Sequence, residues 1–235
     1  MHDTLQDFSK GDVMKVGDLI QAAFRQASIR NPDLHAAWVT ASYRLGGLLP
    51  TSTLVSSVQR AGELDQLVRC MEDEFSFNQD GQEPDFSFYY QVMLSELWIT
   101  EMYEIFRLLK ERKLVPSDNE FDSLAHHLRL LRISIDKHEI AGDRKLEVPL
   151  MMKRYPPKDD DSDIYHYSKD DPSRSHIMPG GFSRRGSLMW QVLDITTGET
   201  FWIERRTLAE KIITLYGTAK TSSPTVSTSG PQASS

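Results

Sequence analysis

One cysteine, Cys70, occurs in 235 residues, so the chain has no intramolecular disulfide. No run approaches ~18 consecutive apolar residues, which leaves no segment long enough for a transmembrane helix. Basic residues are not in excess. The 27 Lys and Arg stand against 34 Asp and Glu, for a net charge of −7. That sign gives no support to binding of nucleic acid or anionic lipid by the whole surface, although it leaves room for a local basic patch. The first residues, MHDTLQDFSKGD, have no basic start followed by an apolar run, so no secretory signal is expected. Together these absences place the chain in a reducing interior, the cytoplasm.

Several chemical signatures are also missing. The chain has no Gly-x-Ser-x-Gly, no His-Glu-x-x-His and no Cys/His framework. Pro179-Gly180-Gly181 lacks the lysine and spacing of a phosphate loop. No internal repeat appears at solenoid periods.

What is present reads first as helix. Val13, Val16, Ile20, Ala23 and Ala27 recur at three- and four-residue steps and predict a first helix over about 12–30. Asn31-Pro32 breaks it, because proline pushes the residue before it out of the α region. Pro32 suits the first turn of a second helix, with Asn31 as its N-cap. Leu34, Trp38, Ala41, Leu45 and Leu48 form its stripe, and Gly46-Gly47 and Pro50 end it. Thr51 to Phe75 predicts a third helix. After a polar loop over 78–84, Asp85 can cap a fourth helix running to about Lys113. Tyr90, Leu94, Trp98, Met102, Ile105 and Leu109 line one side of it. Tyr89, Met93 and Leu97 widen that face, which predicts a central helix in a bundle. Ser117-Asp-Asn-Glu120 reads as a capping box for a fifth helix that carries Phe121, Leu124, Leu128, Leu131 and Ile135.

Composition then changes. Residues 141–185 are rich in Asp, Pro, Arg, Ser and Tyr, and read as a connector either draped over the bundle or partly disordered. From Ser187 the period becomes two. Leu188, Trp190 and Val192 alternate with Met189, Gln191 and Leu193, and Thr196-Thr-Gly-Glu199 turns the chain back into a second strand, Thr200 to Glu204. Thr207-Leu-Ala-Glu210 then opens a short helix to Gly217. A lone hairpin is marginal in water, so this one needs the last helix and a third strand, expected around Lys145 to Met152. The tail of Ser, Thr, Pro, Gly and Ala is expected to be disordered. The organisation is therefore mainly α, or α+β overall: a bundle of about five helices at 12–140, an irregular polar connector at 141–185, a β-hairpin plus short helix at 186–217, and a disordered tail at 218–235.

Candidate chemistry is sparse. Arg132-Ile-Ser-Ile-Asp-Lys-His138 sets an arginine ahead of a histidine; arginine matches phosphate geometry and histidine titrates near neutral pH. Arg30 and His35 have similar spacing but straddle the Asn31-Pro32 break. The pair Arg132 and His138 resembles the Arg/His spacing of the helical nucleotide-binding family shared by prokaryotes and higher eukaryotes, often metal-independent ribonucleases. The resemblance covers those two residues and the helical setting. It implies that Arg132 polarises a scissile phosphate while His138 moves the proton, in a cleft at a dimer interface.

A metal set would draw on Asp122, His126, His127, Asp136, His138 and Glu139, of which Asp122 and His126 share a helix face. His127 and His138 stand ~16 Å apart along a helix, too far to share an ion. Asp159, Asp161, Asp163 and Asp170 have a calcium-loop spacing, but Ile164 replaces the required glycine, so they read as a solvated charge run. No metal or cofactor is expected. Ser183-Arg-Arg-Gly-Ser187 resembles a basophilic kinase site at Ser187, and Arg184 and Arg185 can bind phosphate or an acidic partner. Trp202, with Tyr216, marks a partner surface if exposed.

The leading expectation is a non-enzymatic protein-interaction or regulatory module, with Arg184, Arg185 and Trp202 on its binding surface and a protein partner or a second copy as its ligand. The alternatives are the ribonuclease using Arg132 and His138, and a helical metalloenzyme.

Overall fold

A computed structural model of the chain describes residues 15–77, 87–116, 118–153 and 164–218. It is mainly helical with a strand-rich C-terminal part. Five helices come first: α1 (Val16–Arg30), α2 (Pro32–Gly46), α3 (Leu54–Phe77), α4 (Ser87–Glu111) and α5 (Asn119–Lys137). Five short strands and a last helix follow: β1 (Leu150–Lys153), β2 (Ile164–Tyr167), β3 (Gly180–Phe182), β4 (Leu188–Asp194), β5 (Glu199–Glu204) and α6 (Arg205–Tyr216).

Helix α2 starts at Pro32, as the fixed φ of proline favours, but the Asn31 side chain makes no capping bond. Trp38 Nε1 donates to Asp65 Oδ2 at 2.8 Å, while Gly46 lies against Val55 farther along. The two helices therefore run antiparallel. Helix α5 is capped one residue later than expected. Asp118 Oδ1 accepts from Phe121 N at 2.8 Å, and Ser117 lies outside the described residues. Asp85, the loop at 78–84, the Asp159–Asp163 run and the tail beyond Thr218 also lie outside them.

Two helices differ from the sequence expectation in what they bury. On α1 only Ala27 is buried; Val16 and Ile20, from the same stripe, face solvent. On α4, Trp98, Met102, Ile105 and Leu109 are buried as expected, but Tyr89, Tyr90, Met93 and Leu97 are exposed. The inner face of this half of α4 is filled by Gln91 and Ser95. Gln91 is held there because its Nε2 donates to Gly186 O at 2.5 Å. A glutamine bonded to a distant loop takes the inward position and rotates the tyrosines out.

The connector contains structure. Its β1 and β2 pair antiparallel, with Leu150 opposite Tyr167 and Lys153 opposite Ile164. This corrects the expected third strand: Leu150–Lys153 pairs with β2 and not with the hairpin. The third strand beside β4 is β3, brought there by a tight turn in which Ser183 N bonds Ser187 O and Gly186 N bonds Ser183 O. Tyr167 ties β2 to the end of α5. Its hydroxyl accepts from Ile140 N and donates to Asp143 Oδ2, and Arg174 Nε donates to the same carboxylate oxygen.

The β4–β5 hairpin follows the period-two pattern. Leu188, Trp190, Val192 and Asp194 are buried in alternation, and Gly198 takes φ +74° in the turn. Helix α6 begins directly after β5, at Arg205 and not at Thr207. Leu188, Trp190, Ile203, Leu208 and Ile212 enter one apolar cluster with Trp38, Val58, Trp98, Phe106 and Leu128 of the helices.

Candidate functional site

The largest buried charge group sits where α6 meets α3. Arg205 is fully buried and donates from Nη1 to Asp65 Oδ1 at 2.6 Å and from Nη2 to Glu72 Oε1 at 2.7 Å. Its guanidinium also lies 5.4 Å from the Trp98 ring centroid. Arg69 Nε donates to the other Asp65 oxygen at 2.9 Å. Burial alone would raise the Asp65 carboxyl, but Arg205 and Arg69 hold it below its usual value. Each charged side chain here has an oppositely charged partner in the same cluster, so the network joins α6 to α3, although Arg69 Nη2 and Glu72 Oε2 are buried without a hydrogen bond.

The basic turn is committed in the same way. Arg185 donates from Nη2 to Glu204 Oε2 at 2.6 Å and from Nη1 to Glu210 Oε1 at 2.7 Å. Arg184, its neighbour, is exposed. Ser187 is buried, and its Oγ accepts from Arg206 N at 3.1 Å. A kinase cannot reach that hydroxyl in this conformation. Gly186 has φ +73°, and a Cβ there would fall 2.3 Å from Glu72 O. The turn is therefore pressed backbone to backbone on α3.

Arg132 and His138 are not joined by a hydrogen bond among the described residues. Arg132 Nε lies 2.9 Å from Asp136 Oδ2, and the guanidinium lies 5.4 Å from the Tyr103 ring centroid. His138 is the exposed residue after α5, in the left-handed region at φ 55°, and its carbonyl accepts from His176 N at 2.6 Å. Of the residues weighed for a metal, His126 Nε2 lies 2.6 Å from Asp194 Oδ2, a carboxylate on the hairpin. Asp194 Oδ1 also accepts from Thr196 N. His127 packs on Phe201, and burial with the nearby Lys211 lowers its pKa. Among the described residues no group of three or more His, Cys, Asp and Glu could hold a metal ion. Cys70 is half-buried, and burial pushes its thiol up, away from a reactive thiolate.

Two clefts remain. One, of about 390 Å³, lies between the start of α5 and α6 and is lined by Glu120, Ser123, Leu124, Thr207, Lys211 and Leu215 among others. The other, of about 500 Å³, lies between α3 and α4 and includes Ser57, Arg60, Leu97, Glu101, Glu104 and Leu108. Leu97 is where this second groove meets the outward face of α4. On that face Tyr89 is 63% exposed, Tyr90 57%, Met93 47% and Leu97 53%. Spacing of 3.6 residues per turn puts all four on one side. Helix α1 presents a shorter stripe, with Val16 71% exposed, Leu19 51% and Ile20 53%. Trp202, on β5, is 46% exposed, while Tyr216 is half-buried edge-on to Phe106.

Sequence reasoning placed Tyr89, Tyr90, Met93 and Leu97 in the core and so missed an exposed apolar stripe on α4. A local signal was available: Phe88, Tyr89, Tyr90, Val92, Met93, Leu94 and Leu97 spread round α4 more widely than one buried face accommodates, and Gln91 and Ser95 occupy the side between them. No protein-family model, no curated protein and no solved structure matches the chain.

Proposed function

We propose that this chain is a non-enzymatic protein-interaction module whose outward α4 face docks an apolar helical face of another polypeptide. The observation that carries the reading is the exposure of Tyr89, Tyr90, Met93 and Leu97 on a helix whose inner face is already filled by Gln91, Ser95 and Trp98. Tyrosine and methionine are enriched at protein interfaces, and extended exposed apolar patches mark them. Lipid suits this face poorly. From Ser87 to Glu104, α4 carries Glu96, Glu101 and Glu104 and no Lys or Arg, whereas membrane-surface helices carry basic polar faces. No helix among the described residues is long and apolar enough to cross a membrane. The single cysteine supports a reducing compartment, the cytoplasm.

The ribonuclease alternative is weakened by the ion pairs that occupy Arg132. The basic turn also contributes less than its sequence suggests, since Glu204 and Glu210 neutralise Arg185. Arg184 and Trp202 remain as a secondary surface on the C-terminal part.

The test is a photo-crosslinking phenylalanine derivative placed at Met93, with Arg112 as an exposed control on the same side of the α4–α5 connection. Crosslinking is carried out in the cells that make the protein. Polypeptide adducts at 93 and none at 112 support the reading. Lipid adducts alone, or none at 93, contradict it.

A further inference from the structure

We infer that the polypeptide docked on α4 is a second copy of this chain, with the overhanging half of α1 from each protomer seated on the α4 stripe of the other. This rests on the docking role proposed for α4 and names its occupant.

Three observations converge. First, one chain carries two unfilled apolar surfaces of matching kind. The α1 stripe of Val16, Leu19 and Ile20 has the i, i+3, i+4 spacing by which a helix presents its apolar ridge. The α4 stripe offers the broader, aromatic surface, and both remain exposed in the single chain. Two complementary patches on one molecule generate a closed two-fold dimer when each meets the other reciprocally.

Second, the charges agree. Lys15 is exposed beside the α1 stripe, whereas Arg25 lies on the opposite side of the helix and Arg30 is already held by Glu74. On α4, Glu96 lies beside the stripe, while Glu101 is already paired with Arg60 and Glu104 with Arg107. An α1–α4 pairing sets a basic residue against an acidic one. An α4–α4 pairing would set glutamate against glutamate, and like charges at an interface reject a partner.

Third, the area is adequate. The seven side chains of the two stripes expose ~100 Å² each, or ~700 Å² per protomer, beside the ~800 Å² per partner of a standard interface. Neither stripe reaches that figure alone.

The experiment is sedimentation equilibrium of the full-length chain over a wide concentration range, with Ile20→Asp and Met93→Asp as single variants. Both positions are exposed, so circular dichroism should show unchanged folding. The wild type is expected to dimerise, each variant to weaken the dimer at least ~tenfold, and an equimolar mixture of the two variants to associate more strongly than either alone, because one of the two reciprocal contacts is intact. In a Cys70→Ala background, chains carrying Ile20→Cys mixed with chains carrying Met93→Cys should form the mixed disulfide in preference to either homodisulfide. A wild type that stays monomeric, or a dimer indifferent to both substitutions, overturns the proposal. If the chain is monomeric while the probe at 93 still captures a different polypeptide, the docking face stands and only the second copy falls. If the probe captures nothing, both fall.

Discussion

Arg205 has both its acidic partners far upstream in the sequence. Asp65 lies 140 positions away and Glu72 133. No local pattern reports such a distance, so the sequence around Arg205-Arg206 reads as an ordinary polar junction between strand and helix. Removing one member of a buried ion cluster leaves the others charged and unpaired, which costs about 3–5 kcal/mol. Arg205→Met should therefore lower the urea-unfolding free energy by that amount; a loss under ~1 kcal/mol would show that water replaces the guanidinium. Gly186 and Gly198 provide a second comparison at this scale. Both have positive φ, but a Cβ meets Glu72 O at 2.3 Å in one and nothing within 4 Å in the other. Gly198→Ala should cost ~1 kcal/mol from backbone strain alone, and Gly186→Ala clearly more. Equal costs would mean that the turn does not press on α3. Turn chemistry made Gly198 legible in the sequence, whereas the role of Gly186 depends on a helix more than a hundred residues earlier.

Among the elements, the hairpin and helices α2, α3 and α5 were readable because their apolar periods coincide with their buried faces. Helix α4 misled because its apolar residues spread over most of its first half, and the side that turns inward carries Gln91, bonded to Gly186, and Ser95. The consequence is measurable. At dilutions where the chain is monomeric, Met93→Gln and Leu97→Gln should each change stability by less than ~0.5 kcal/mol, while Trp98→Ala on the same helix should cost about 3–5 kcal/mol. Comparable losses at all three would return the outward stripe to the core. The junction of β5 with α6 has its own pH signature. Burial would raise the Glu204 carboxyl, but hydrogen bonds from Arg185, Ser183 and Thr207 bring it down to about 2 from 4.5. A depressed carboxyl stabilises the fold above its unfolded value, and that contribution is lost as pH falls from 4.5 towards 2. Glu204→Gln should accordingly flatten the stability profile across that acid window in chemical denaturation; an unchanged slope would show that Arg185 does not hold the carboxylate in solution.

For the whole molecule, the apolar cluster extends from the helices through Trp190, Ile203 and Ile212, so the strand-rich part is packed into the bundle through a shared core. Its charges reinforce that junction: Arg205 and Arg206 both reach acids on α3, while Arg185 ties β5 and α6 within the C-terminal part. Arg132, Arg185 and Ser187, which looked functional in sequence, are occupied within the fold, while an apolar stripe on α4 stays exposed. Composition showed the absence of an overall basic surface, but it could not reveal which apolar residues stay outside the core, because that depends on which helix faces the fold leaves uncovered. The most direct measurement is hydroxyl-radical footprinting of the full-length chain at high dilution and in concentrated solution. Tyr89, Tyr90 and Met93 should be labelled readily when dilute and protected when concentrated, while Trp202 should be labelled equally in both. Labelling of the α4 residues that does not change with concentration, or protection already complete at high dilution, would contradict self-association through α4.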